Sequence, residues 1–149
     1  MKTSRFLPTH YVLLSILSML ALHFLLPLTT IVPQPWNLIG LIPLIAGIII
    51  NLAADRDFHK AGTTVKPYEE PSTLLTQSVF QFTRNPMYLG FGLIMIGIAL
   101  LIRTLTPWFV IPVFVVLMDR VFIRVEEQML EVRFGATWLA YKAKVRRWI

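Results

Sequence analysis

Glu126 and Glu127 are neighbouring carboxylates just beyond an apolar run, in a segment that also carries Asp119, Arg120 and Arg124. Ionisable side chains at a membrane boundary are costly and mark candidate functional sites. On a helix, Arg120, Arg124 and Glu127 are spaced by four and three and share one face. Asp119, Ile123 and Glu126 follow on the adjacent face. Two readings fit. One is a set of juxtamembrane ion pairs, Arg124 with Glu127, while Arg120 snorkels to headgroups. The other is a polar pocket, because a second charged stretch, "RNPMYLGFG" (84–92), sits on the lip of another apolar run. Pro86 suits the first turn of a helix. It leaves Arg84 and Asn85 outside that helix, with Tyr88 and Gly90 one turn in. Two carboxylates facing these residues could accept hydrogen bonds from an ammonium group or from sugar hydroxyls.

The rest of the inventory is quieter. There are no cysteines, which excludes disulfides and thiolate chemistry. His10, His23 and His59 are scattered and have no metal-ligand spacing. His23 and Asn51 read as hydrogen-bonding groups between helices, and Met87, Met95, Met118 and Met129 as packing residues. Gly90, Gly92 and Gly97 would let another helix, or a ligand ring, approach the backbone. No glycine-rich nucleotide loop and no Ser-His-Asp arrangement is present.

The elements that must position these groups are membrane helices. The chain has 149 residues, one domain's worth, and 56% of them are apolar. Tyr11 to Ile31 is almost uncharged and, as a helix, extends roughly 30 Å, one hydrocarbon core. Leu38 to Ala54, Met87 to Ile102, and Trp108 to Met118 continuing to Ile123 are three further runs. The reading is an all-α integral membrane protein of about four transmembrane helices in two hairpins. The fourth helix extends into the cytosol as far as a stop at Gly135, and "TWLAYKAKVRRWI" forms a C-terminal interfacial helix. Residues 1–149 are then a single membrane domain: an N-terminal helical hairpin (1–54), a cytosolic loop (55–86) broken by Gly62, Pro67 and Pro71, and a third part (87–149) with the second hairpin. A cleaved signal peptide fits poorly, since the first apolar run is long and lacks an A-x-A site. The net charge is +6, concentrated in Lys2 and Arg5, in the central loop and beyond the fourth run. The positive-inside rule places these regions, and both termini, in the cytosol. The basic excess suits anionic lipid and not nucleic acid.

Three stretches, "AGTTVKP", "LLTQSVFQFTRNPMYLG" and "EEQMLEVRFGATWLAYKAKVRRW", resemble in order and spacing the isoprenylcysteine carboxyl methyltransferase and phospholipid methyltransferase superfamily. The resemblance covers Ala61 to the C-terminus and implies a membrane enzyme using S-adenosyl-L-methionine on a lipophilic or membrane-associated small acceptor. It implies one cofactor wall from Arg84, Asn85, Pro86, Tyr88, Leu89 and Gly90, and another from Glu126 and Glu127. Phe134, Tyr141, Arg146 and Arg147 would close the site, with Arg146 or Arg147 near a carboxylate, and Gly62 to Pro67 would shape the loop over it. Arg84 and Glu127 would be catalytic, with Arg120 and Arg146 toward the acceptor. The chain departs from relatives at Asn85, where eukaryotic enzymes have His, at Ser78-Val79, where Gly-Pro is frequent, and at Phe82, often Tyr. Its shortness resembles prokaryotic members, with the cytoplasmic membrane as the expected location. The competing expectations are a dinucleotide-dependent membrane reductase of related fold and a non-catalytic helical membrane protein.

Overall fold

The structure, a computed structural model, describes residues 7–149; the basic flank with Lys2 and Arg5 lies outside them. The described residues are helical, with no strand beyond an isolated bridge. α1 spans Pro8–Leu25 and α2 Leu41–Lys60, the latter preceded by a 3-10 turn, Trp36–Gly40. α3 is Pro86–Ile102, α4 Val110–Met118, α5 Arg124–Phe134 and α6 Ala136–Lys144. Between α4 and α5 the helix continues through a π turn, Asp119–Ile123. Gly135, at φ +48°, separates α5 from α6.

Two helical stretches, Pro8–Leu25 and Trp36–Lys60, are long and apolar enough to cross a membrane. They turn outward a surface that only lipid would solvate, including Leu13, Leu17, Phe24, Ile42, Ile49 and Leu52. α3 is equally apolar, but its 17 residues extend about 25 Å, less than a full hydrocarbon core. α4 has nine residues before the π turn. Among the described residues two helices reach membrane length on their own, and α4 runs on through the π turn into α5.

The two expected hairpins, α1 with α2 and α3 with α4, are not the principal packing pairs. α2 lies along α3, and α1 lies against α4 and the turn before it. Glycines explain the first pairing. Gly40 and Gly47, and Gly90 and Gly97, are each seven residues apart, so each pair lies on one helix face two turns apart. A β-carbon on Gly47 would lie 2.5 Å from the Gly90 carbonyl oxygen, and one on Gly97 would lie 2.7 Å from that of Gly40. The backbones touch where side chains would hold them apart. Gly92 has open space where its β-carbon would be, so it is not part of this contact.

The loops at one end hold α1 to the α3–α4 connection. Ile31 N donates to Arg103 O at 2.9 Å, and Leu105 N to Thr29 O at 3.0 Å, around a Thr30–Thr104 bridge. His23 Nδ1 lies 2.9 Å from Thr104 Oγ1. From there inward Met19, Met95, Phe114, Met118, Phe122 and Ile123 form the core between α1, α3, α4 and the π turn.

Candidate functional site

A cavity of about 240 Å³ opens where the first turns of α1 and α3 meet α5 and the loop after α2. Much of its wall is apolar, with Phe58, Phe80, Phe91, Met129 and Leu130 contributing. The polar wall comes from Arg84, Asn85, Tyr88 and Glu126, and the rim from Thr64, Lys66 and Glu69. The rim is a local knot: Lys66 Nζ donates to Glu69 Oε1 at 2.8 Å and Thr64 Oγ1 to Glu69 Oε2 at 2.7 Å.

The α3 wall begins as Pro86 dictates. Asn85, at φ −130° and ψ 60°, lies outside the helical region and precedes a helix that Pro86 starts. The C-terminal segment fixes the residues ahead of it. Arg84 N donates to Arg146 O at 3.0 Å. Thr83 Oγ1 and Asn85 Nδ2 both donate to Arg147 O, at 3.1 and 3.0 Å. Asn85 N in turn donates to Thr83 Oγ1 at 3.1 Å. Arg84 packs over the Trp138 ring, 5.6 Å from its centroid. Its Nη2 lies 3.3 Å from Glu127 Oε1, and both side chains are only 9% exposed. Arg84 Nε and Nη1 are buried with no hydrogen-bond partner.

The two glutamates have different surroundings. Glu126 lines the cavity and accepts a 2.5 Å hydrogen bond from Tyr88 Oη. Burial pushes its carboxyl up to about 7; the Tyr88 hydroxyl pulls it down and the Glu127 charge adds to the rise. Glu127 is held by cations instead. Arg147 Nε donates to Glu127 Oε1 at 3.0 Å and Nη2 to Oε2 at 2.5 Å, while Arg147 Nη1 reaches Asp119 Oδ1 at 2.8 Å.

The π turn makes that bridge possible. At about 100° per residue, eight residues of regular helix would set Asp119 and Glu127 about 80° apart. The wider turn accommodates one extra residue and returns both carboxylates to one side. It also changes the ion pairing expected from helical spacing. Arg124 Nε lies 3.2 Å from Asp119 Oδ2, and Glu127 pairs with Arg84 and Arg147.

Of the residues singled out from sequence, Arg84, Asn85, Pro86, Tyr88 and Glu126 line the cavity together. Glu127 lies behind this wall, 7% exposed. A β-carbon at Gly90 would meet the Asn51 side chain, so Gly90 faces α2; Leu89 is half-buried and outside the lining. Tyr141 Oη donates to Phe80 O at 2.6 Å and thereby braces a cavity residue from behind. Phe134 closes α5 without reaching the cavity. Arg120 and Arg146 are exposed, and Arg147 is the arginine brought to the carboxylates. Thr64, Val65, Lys66 and Pro67 of the central loop line the cavity, as does Thr9 of α1, which no spacing pattern marks. Asp119 gains its place only through the π turn.

The raised Glu126 carboxyl makes stability pH-dependent. A folded-state value near 7, against 4.5 unperturbed, favours the protonated form in the folded protein. That contribution is present below about pH 4.5 and is lost as pH rises through about 7. Thermal unfolding in detergent is therefore expected to fall between those values, and Glu126→Gln, which still accepts from Tyr88, is expected to flatten the curve. A variant curve parallel to the wild-type one would assign the pH dependence elsewhere.

The fold has a counterpart among solved structures. It is similar to that of the eukaryotic intramembrane Ras methyltransferase ICMT (isoprenylcysteine carboxyl methyltransferase), with a TM-score of 0.63 and 23% identity, over 95% of this chain. The chain spans about half the length of that protein, 51%. Residues 36–137 match the family model described as phospholipid methyltransferase, and the chain belongs to that family. A curated relative, an uncharacterised protein of Haemophilus influenzae, is 35% identical over 63 residues, covering 42% of this chain and all of the relative. Family and fold together point to a membrane methyltransferase.

Proposed function

We propose that the protein transfers a methyl group from S-adenosyl-L-methionine to a lipophilic or membrane-associated small acceptor, at the cytosolic face of a prokaryotic cytoplasmic membrane. The observation that carries this reading is Arg84: two guanidinium nitrogens, buried and unpartnered, on a residue that lines the cavity. A buried donor without a partner is disfavoured unless a ligand supplies one. A carboxylate matches a guanidinium edge, and the cofactor carries one. The same cavity offers a carboxylate, Glu126, suited to an ammonium or a hydroxyl, and apolar walls suited to a ring. The residues therefore fit the cofactor.

When bound, that cofactor supplies a methyl group on a sulfonium, which leaves as a neutral thioether. The chain's own part is alignment and exclusion of water. Arg84 and Asn85, pinned by the C-terminal segment, hold the polar end of the site. Phe58, Phe80 and Phe91 keep the wall dry. An amine or thiol acceptor must lose its proton, and the Glu126 carboxylate is placed in the cavity to take it. An anionic acceptor needs no base. The exposed apolar faces of α1 and α2 suit an acceptor that arrives from the bilayer.

Isothermal calorimetry of the detergent-solubilised protein tests the reading. S-Adenosylhomocysteine is expected to bind and a reduced nicotinamide dinucleotide is not. Binding of the dinucleotide alone would favour a reductase, and binding of neither would indicate a non-catalytic membrane protein.

A further inference from the structure

We propose that Arg147 is a positioning residue: by holding Glu127 and Asp119 together it keeps Arg84 free to engage an anionic group in the cavity. The inference rests on the cofactor reading above. Arg84 and Arg147 compete for one carboxylate. Glu127 gives Arg147 both oxygens, at 3.0 and 2.5 Å, and Arg84 only a single approach at 3.3 Å. The competition leaves Arg84 Nε and Nη1 without partners. Arg147 can hold Glu127 in this way because it is anchored twice more. Its Nη1 meets Asp119 at 2.8 Å, and its carbonyl oxygen accepts from Thr83 and Asn85. Side chain and backbone of one residue thus fix both the carboxylate behind Arg84 and the asparagine beside it. Hydrogen bonding to Glu127, with the nearby Asp119 charge, holds the Arg147 guanidinium above its ordinary range, so it stays charged.

Without that guanidinium, Glu127 has only Arg84 to neutralise it. A buried carboxylate takes the nearest cation fully. Arg84 then turns its fork to Glu127, and its unpartnered donors are no longer available to a ligand.

The test is calorimetric and needs no turnover. S-Adenosylhomocysteine and its decarboxylated analogue are titrated into wild-type, Arg147→Met and Arg147→Met/Glu127→Gln proteins. Wild type is expected to prefer the carboxylate-bearing ligand by about tenfold or more, the scale of a charge-assisted hydrogen bond. Arg147→Met is expected to lose that preference. The double variant, which removes the carboxylate that captures Arg84, is expected to regain it. A merely structural anchor would not be rescued by changing Glu127. Retained preference in Arg147→Met overturns the inference, and so does failure of the double variant to recover it. Should Arg147→Met not fold, Arg147→Lys, which keeps the charge but loses the forked grip on Glu127, takes its place: a reduced preference that Glu127→Gln restores supports the inference, and a preference that is unreduced or not restored overturns it. Wild-type protein that binds neither ligand overturns the cofactor reading, and this inference with it.

Discussion

Arg84→Met is expected to weaken S-adenosylhomocysteine binding by about a hundredfold, because two charge-assisted hydrogen bonds are lost together. The decarboxylated analogue should lose far less. Methionine fills a similar volume over the Trp138 ring, so the loss is of donors more than of packing. The fold should survive, since Glu127 keeps both hydrogen bonds to Arg147. Calorimetry on a variant with an unchanged unfolding temperature is the measurement. Equal loss for both ligands would mean that Arg84 shapes the cavity without meeting a carboxylate. No loss for either would remove it from the site.

The second large effect belongs to the helix pair that carries the site. Gly47→Ala puts a methyl group 2.5 Å from the Gly90 carbonyl oxygen and 2.9 Å from Ile94 N. Both are backbone atoms, which cannot rotate away. The helices must separate, at a cost of about 2–3 kcal/mol in the range of overpacked cores. Thermal unfolding in detergent is expected at a temperature lower by roughly 5 °C or more. Gly92→Ala, which meets nothing within 4 Å, is the control and should unfold as wild type does. Similar melting of the two variants would show that the α2–α3 contact is looser than its glycines indicate.

Much of the cavity's polar wall was legible because its cause is local. Pro86 starts α3 wherever that helix packs, so Arg84 and Asn85 had to precede it and Tyr88 had to sit one turn in. Gly135 ends α5 for an equally local reason. The helix pairing was less legible. Gly90 and Gly97 announced a close approach, but spacing on one helix does not name the partner, and the short connections suggested α1 with α2 and α3 with α4. The wide turn at Asp119–Ile123 was hidden altogether. No Gly or Pro marks "DRVFI", and a regular period assigned Arg124 to Glu127. Arg146 and Arg147 posed a problem of choice. Beyond α6 the chain leaves helical geometry at Val145, and only the register against Thr83–Asn85 selects Arg147.

The wide turn reconciles two angular phases. α4 takes its rotation from apolar contacts with α1, whereas α5 takes its rotation from charges: Arg84, Arg147 and the Tyr88 hydroxyl. A uniform helix would transmit one rotation along its length and could satisfy only one of these demands. The extra residue at the junction acts as a vernier between the greasy half and the watery half, letting each settle into its own orientation. Sequence change along the apolar stretch can then adjust α4 without swinging Glu126 out of the cavity.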